Sequence, residues 1–296
     1  MFRKLTILLV LAALGLSAGL AQAYFEDTVI SPRSRAMGES AVAVPDAQAA
    51  AFLNPAYLAE VSEKSFGAAY VQPFRQGFND FYYLGGALPI HSRWGNFGFG
   101  LSSFQVEYQD VDLLKETQLS LAHGVNLFQD MHSSIDFGWS LGIYNVDLGE
   151  TIDGEDPGSA TAYGVDIGML VTLHKRTKLG FQVKNINNPN IGFDEEELAQ
   201  RLVGGVSYEP YDGVITTFEI ENELGNEVQY HGGTEFYIID GFALRTGIAT
   251  NPNRLTGGFG YTFDGFTLHY GFSTGGGVLE SNHQFGLNFA WGGEAP

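Results

Sequence analysis

Cysteine is absent from the chain, so no disulfide holds it together. Basic residues are scarce: 15 Lys and Arg stand against 34 Asp and Glu, a formal net charge of −19. That excess of acid excludes a nucleic-acid binder, which needs basic surface to neutralise phosphate. Long apolar runs are missing after the first 20 or so residues, and mean hydropathy is −0.03. A helical polytopic membrane protein needs repeated runs of about 20 apolar residues and is excluded too. What the chain has in abundance is glycine, 39 of 296 residues, together with 14% aromatics. Collagen and disordered chains lack such aromatics. A soluble β protein and a membrane β-barrel both remain.

Residues 1–23 have the pattern of a secretory signal peptide. Arg3 and Lys4 form a basic start, Leu5 to Leu16 an apolar core, and Ala21-Gln22-Ala23 a small-x-small cleavage site. Tyr24 is then the first mature residue. The segment carries two basic and no acidic residues, so its removal leaves 13 basic against 34 acidic, net −21.

From Lys64 to Trp291 the sequence alternates. Ile135, Phe137, Trp139, Leu141 and Ile143 are apolar, and Asp136, Gly138, Ser140 and Gly142 between them are small or polar. Phe285, Leu287, Phe289 and Trp291 repeat the pattern with Gln284, Gly286, Asn288 and Ala290. Successive strand side chains point to opposite faces, so each segment is a strand with one large apolar face. The second face is too rich in Gly, Ser, Asn and Gln for the charged exterior of a sandwich, and it suits a narrow polar lumen. The expected fold is all-β, a 14-stranded antiparallel transmembrane β-barrel with a small N-terminal helical plug. The strand segments are 64–72, 80–89, 95–106, 115–123, 134–146, 159–173, 177–185, 200–210, 214–223, 227–238, 242–249, 255–263, 266–273 and 281–291.

The odd connections 107–114, 147–158, 186–199 and 274–280 are long. Even connections such as 211–213, 239–241 and 264–265 are short and carry Asp-Gly, a tight-turn pair. Segment 124–133 is the exception. Barrels have short periplasmic turns and longer external loops, so both termini are expected in the periplasm. Acids group in the expected outer loops: Asp194 to Glu197; Glu150, Asp153, Glu155 and Asp156; Glu107, Asp110 and Asp112; and Glu221, Glu223 and Glu227 flanking a fourth. They read as solvated loop tips, or as carboxylates for divalent cations at a lipopolysaccharide surface. Trp94 and Trp291 fall at periplasmic strand ends, and Tyr70, Tyr82 and Tyr83 at outer ends, as girdle positions.

Residues 31–61 do not alternate. Asp46 is positioned to cap a short Ala-rich helix over 47–53, and Pro55 to stop it. Asp46 is the only charged residue between 40 and 59, which argues for burial. The domain expectation is a signal peptide 1–23, a plug segment 24–61, a barrel 62–291 and a tail 292–296.

The stretch from Arg33 to Val44, followed by Asn54-Pro55-Ala56-Tyr57-Leu58, resembles the N-terminal signature of the PorV/PorQ family, which belongs with FadL-type outer-membrane proteins. Leu179 to Ile186, Phe242 to Ile248 with Leu255 to Gly260, and Asn282-His283-Gln284 resemble later motifs of that family in the same order. Asp46 stands where the family has an aspartate pair, Leu53 replaces an aromatic, and the chain runs five residues past Trp291. The resemblance implies a bacterial outer-membrane barrel with a plug. FadL relatives move hydrophobic molecules through the wall; PorV relatives are accessory barrels that carry proteins from a secretion translocon.

Catalytic patterns fail in context. Gly138-Trp139-Ser140-Leu141-Gly142 matches a nucleophile-elbow expression, but Ser140 is mid-strand and no helix follows. The seven histidines show no metal-ligand spacing, so no enzyme, metal or cofactor is expected. Lumen-lining or ligand candidates are Asp136, Asp166, Gln182, Lys184, Glu219, His231, Glu235 and Arg245, with Gln229, His269, Gln284 and Asn288 beside them; Asp46, Asn54 and Pro55 are the plug candidates. Two functions stay open: an accessory barrel for protein secretion, partnered by a translocon or its cargo, and a passive channel for hydrophobic or small amphipathic solutes. Outer-membrane lipid and lipopolysaccharide are the expected surroundings, without nucleic acid.

Overall fold

A computed structural model describes residues 24–25, 29–90, 94–109, 111–149, 157–192, 196–275 and 279–292. The proposed signal peptide, the acids at 150–156 and 194–195, and most of the tail lie outside the described residues.

Fourteen antiparallel strands close on themselves. They are β1 (Lys64–Val71), β2 (Asn79–Leu88), β3 (Asn96–Tyr108), β4 (Val111–Gln129), β5 (Ser134–Asp147), β6 (Ser159–Leu173) and β7 (Thr177–Lys184). They continue as β8 (Arg201–Tyr211), β9 (Val214–Glu223), β10 (Gln229–Ile239), β11 (Phe242–Ala249), β12 (Arg254–Phe263), β13 (Phe266–Ser273) and β14 (Asn282–Trp291). β1 pairs with β14, from Lys64 opposite Trp291 to Val71 opposite Gln284, so the barrel has no free first edge. Among the described residues no helix is long and apolar enough to cross a membrane; the strands make the crossing.

Alternation sets the two faces. Phe66, Leu84, Phe97, Leu121, Trp139 and Phe181 point outward and are each at least 40% exposed. A continuous exposed apolar belt of this kind has lipid as its solvent. The opposite positions, Asp136, Ser140, Asp166, Gln182 and Glu219 among them, are buried inside.

Two expected connections shrink. β3 and β4 remain paired out to Tyr108 opposite Val111, so Glu107 and Asp112 are ladder partners rather than loop residues. β4 also runs on to Gln129, leaving a turn at 130–133 in place of the moderate connection 124–133. Strands that rise past the lipid need no apolar face, so polar residues there do not end the ladder. One end of the barrel carries compact turns at 130–133, 174–176, 212–213, 240–241 and 264–265, the last with positive φ at both Asp264 and Gly265.

The segment from Val29 to Val61 fills the lumen. Ser31 caps α1 (Pro32–Ala36), its side chain accepting from Arg33 N–H. The expected helix over 47–53 is shorter: α2 is Ala50–Leu53 and Ala49 precedes it without a side-chain cap. Asp46 does not cap it, because its carboxylate instead accepts from the Ser31 hydroxyl. Asn54 then caps a 3-10 turn, Pro55–Glu60, by accepting from Ala56 N–H. Pro55 thus opens a new turn as well as closing the helix.

The plug fits because the wall offers glycine where backbone meets backbone. A Cβ on Gly233 would overlap Met37, one on Gly247 would overlap Gly38, one on Gly180 would overlap Val42, and one on Gly138 would overlap Pro55. Gly233 faces Gly247 across β10 and β11, and Gly124, Gly138 and Gly168 form a row across β4, β5 and β6.

Candidate functional site

The plug is tied to the wall by hydrogen bonds around its circuit. Glu219 on β9 accepts from the backbone N–H groups of Ala41 and Val42, both at 2.8 Å. Gln182 donates to Phe52 O at 3.2 Å, Ser207 to Ala43 O at 2.8 Å, and Asn96 to Leu58 O at 2.7 Å. Asn54 donates to Val42 O at 2.8 Å and so joins two parts of the plug. Buried backbone groups without sheet partners need such side chains, which is why the lumen face is polar.

Ion pairs add fixed points. Glu235, with no exposed side-chain surface, accepts from Arg33 of the plug at 2.6 and 2.9 Å and from Arg245 of β11 at 2.6 Å. Arg33 also donates to Pro45 O. Arg254 binds Glu39, and Lys178 binds Glu60. Each couples one plug residue to one wall residue.

Around the plug the lumen is divided. On the side of the longer connections lies a cavity of about 70 Å³ that includes Gln182, Lys184, Glu219, Glu221 and His231 in its lining. His231 Nδ1 donates to Gly38 O at 2.9 Å, while its buried Nε2 makes no hydrogen bond and lies 3.9 Å from Glu221 Oε2. Beside it lies a smaller cavity of about 50 Å³, lined in part by Tyr24, Phe25, Tyr144, Lys184 and Arg201. An apolar cluster of Tyr24, Tyr144, Val146, Ala162, Ile191 and Leu198 walls this half, with Phe25, Leu114 and Leu148 packed on it. The result is a vestibule with one polar and one apolar side.

On the side of the short turns two further spaces open. One of about 190 Å³ includes Arg33, Asp46, Tyr57, Arg245 and His269 in its lining. The other, about 410 Å³, meets Glu60, Asn126, His132, Asp136 and Thr172. Plug residues lie between these spaces and the vestibule.

All eight lumen candidates lie on the barrel's inner face, but they do not form one site. Gln182, Lys184, Glu219 and His231 share the vestibule. Glu235 and Arg245 anchor Arg33 toward the turn side. Asp136 is held by Asn126 and Ser134, and Asp166 by Ser140 and the Asn185 N–H. Ser140 is fully buried and donates to a carboxylate, far from the geometry of a nucleophile. Gln284 meets Arg35 at 2.7 Å, and Asn288 meets both Gln48 and His269 at 3.2 Å.

Three placements correct the expectations. Tyr83 is buried and donates to Gln48 O, so it is a plug contact rather than a girdle ring. Adjacent Tyr82 and Tyr83 cannot both face lipid on one strand. Glu221 and Glu223, at the strand end flanking the fourth outer connection, face inward and pair with Arg201 at 3.5 and 2.8 Å, so their charge is neutralised inside the barrel rather than external. Among the described residues no cluster of three metal-ligating side chains occurs. Sequence reasoning missed Arg33, Arg201 and the Tyr24-Phe25 pair. Arg33 had a visible signal: with Arg35 it puts cationic charge into a segment expected to be buried.

No family model matches the sequence, and no curated protein matches it. Solved structures do resemble the fold. The CymD monoaromatic hydrocarbon channel aligns with a TM-score of 0.60 at 13% identity, over 88% of this chain and 96% of that one. The toluene transporter TodX of Pseudomonas putida aligns at 0.59 and 14%, over 91% and 99%. A Pseudomonas aeruginosa FadL homologue aligns at 0.54 and 12%, over 88% and 98%. At such identities the likeness is one of fold: a FadL-like plugged barrel.

Proposed function

We propose that this chain is an outer-membrane channel for the passive uptake of hydrophobic or small amphipathic solutes. One observation carries the reading: a plug divides the lumen into a vestibule with an apolar side and separate cavities at the turn end. Tyr144, Val146, Ile191 and Leu198 give an apolar group a surface to lie against inside the mouth. The hydrocarbon channel and the toluene transporter that share the fold support the same solute class. On this reading residues 1–23 are removed on export, 24–61 are the plug, 62–291 the barrel and 292–296 a tail. Both termini are periplasmic, and the longer connections face outward, amid lipopolysaccharide. Asn54 and Pro55 hold the plug's geometry, and Gln182, Lys184, Glu219 and His231 line the solute's way past it.

The test is toluene flux into proteoliposomes, with an uptake assay in cells lacking the protein. Flux above that of empty liposomes, and slower uptake on deletion, are expected. Unchanged flux and uptake would remove the reading. The motifs shared with the PorV/PorQ family favour the other reading, an accessory barrel for secretion. That reading expects co-purification with a large translocon or its cargo in mild detergent, and altered secretion on deletion.

A further inference from the structure

The vestibule already contains two rings of the chain itself. Phe25 meets Tyr144 edge to face, with centroids 5.0 Å apart and planes at 81°. Tyr24 is 8% exposed within the same cluster. The Phe25 backbone N–H donates to Glu116 Oε2 at 3.1 Å, a carboxylate on the inner face of β4. Tyr144 is itself fixed by its hydroxyl, which donates to Asn185 Oδ1 at 3.0 Å. Phe25 has a φ of 61°, a left-handed conformation that is unfavourable for a residue with a Cβ. Ring burial and the Glu116 bond oppose that cost, so the pocket favours this combination of groups. Lys184 lines both vestibule cavities and makes no hydrogen bond or ion pair among the described residues. A ring pocket thus has an acceptor at one edge and, at another, a lysine amine that makes no hydrogen bond among the described residues.

We infer that the vestibule binds an aromatic amino acid or its short peptide, and that Tyr24-Phe25 is a tethered occupant of that site. The solute's ring takes the place of Phe25 against Tyr144. Its N–H donor takes the place of the Phe25 amide on Glu116. Its carboxylate meets Lys184, which makes no hydrogen bond among the described residues. Neither a plain hydrocarbon nor a simple aromatic acid uses all three features. The inference rests on the uptake reading and names its solute.

Calorimetry on the purified full chain in detergent tests it with four probes: phenylalanine, phenethylamine, phenylacetate and ethylbenzene. Phenylalanine is expected to bind tightest. Replacing both rings (Tyr24→Ala with Phe25→Ala) clears the site, and phenylalanine should then bind about tenfold tighter, because a competing occupied state is removed. Glu116→Gln should weaken phenylalanine and phenethylamine roughly tenfold and leave phenylacetate unchanged; Lys184→Met should weaken phenylalanine and phenylacetate and leave phenethylamine unchanged. Heat-modifiable gel migration checks that each variant is a folded barrel. Equal binding of all four probes, or no gain on removing the rings, overturns the inference. Toluene flux without this binding pattern sinks the inference alone. The binding pattern without flux of any solute sinks the uptake reading and leaves the site.

Discussion

Asn54 and Gly168 meet where the plug lies against β6, and the Asn54 side-chain oxygen occupies the space that a Cβ on Gly168 would take. The same oxygen accepts from Ala56 N–H, and the amide nitrogen donates to Val42 O at 2.8 Å and Met169 O at 3.3 Å. One side chain therefore caps the 3-10 turn, joins two plug segments and touches the wall. Asn54→Ala should lower stability by about 2 kcal/mol, the upper part of the range for a lost cap, because buried acceptors are also left unpaired. The denaturation midpoint of the purified barrel checks this, and plug proteolysis should become faster. An unchanged midpoint would show that water satisfies these groups.

Glycine on the inner face has a different role from glycine on the lipid face. A Cβ on Gly247 would collide with Gly38 and Met37 backbone atoms, whereas one on Gly204 would find its nearest neighbour, Phe181, at 3.6 Å. Gly247→Ala should cost about 1–3 kcal/mol as overpacking. Gly204→Ala should be neutral or slightly stabilising, through lower chain entropy in the unfolded state. Thermal melts of the two variants measure the contrast. Equal losses would mean that plug fit is not what these glycines serve.

The period-two alternation was legible because lipid and lumen demand opposite side chains at each step. The 14 strands, the compact Asp-Gly turns and the inward glycines all follow from it. Contacts between the plug and the wall were not legible in the same way. Asp46 looks like a cap by local spacing, yet Ser31, fifteen residues earlier, takes its carboxylate. Glu221 and Glu223 look like loop acids until Arg201, on the neighbouring strand, turns out to pair with both. Such pairings depend on which wall position the plug passes, and nearest-neighbour patterning carries no record of that. The vestibule's apolar side was hidden for the same reason, being assembled from β5, β6, the 185–200 connection and Tyr24-Phe25.

The turn at 130–133 is held by one carboxylate. Asp130 Oδ1 accepts from the N–H groups of His132 and Ser133, both at 2.7 Å. These two bonds, to His132 first, hold the Asp130 pKa below its ordinary value, outside the membrane-spanning strands. A depressed acid pKa adds stability above the unfolded value, and that stability is lost as pH falls through the folded one. Amide exchange at His132 and Ser133 should therefore be slow at neutral pH and in mild acid, and should accelerate once Asp130 is protonated. In Asp130→Ala the extra protection should vanish at neutral pH. Identical exchange in parent and variant would show that the turn's ladder, not Asp130, protects these amides.

Glu235 is the point where plug and wall are most tightly coupled by charge. It has no exposed surface and receives two guanidinium groups, one from each side of the plug–wall boundary. Glu235→Gln removes the carboxylate that bonds both Arg33 and Arg245, and leaves Asp46 as the nearby anion for two guanidinium groups. Removing one partner of a buried ion pair costs about 3–5 kcal/mol, because the remaining charge stays desolvated. Arg33 is covalently part of the plug and Arg245 part of the wall, so their repulsion relaxes by moving the plug. The expected result is a higher single-channel conductance in planar bilayers together with a lower melting temperature. Pairing Glu235→Leu with Arg33→Met removes both the cation of the plug and its anion, and should recover part of the stability without restoring the closed lumen. If Glu235→Gln conducts like the parent, the plug is held by its backbone contacts to Glu219, Ser207 and Asn96 rather than by this latch.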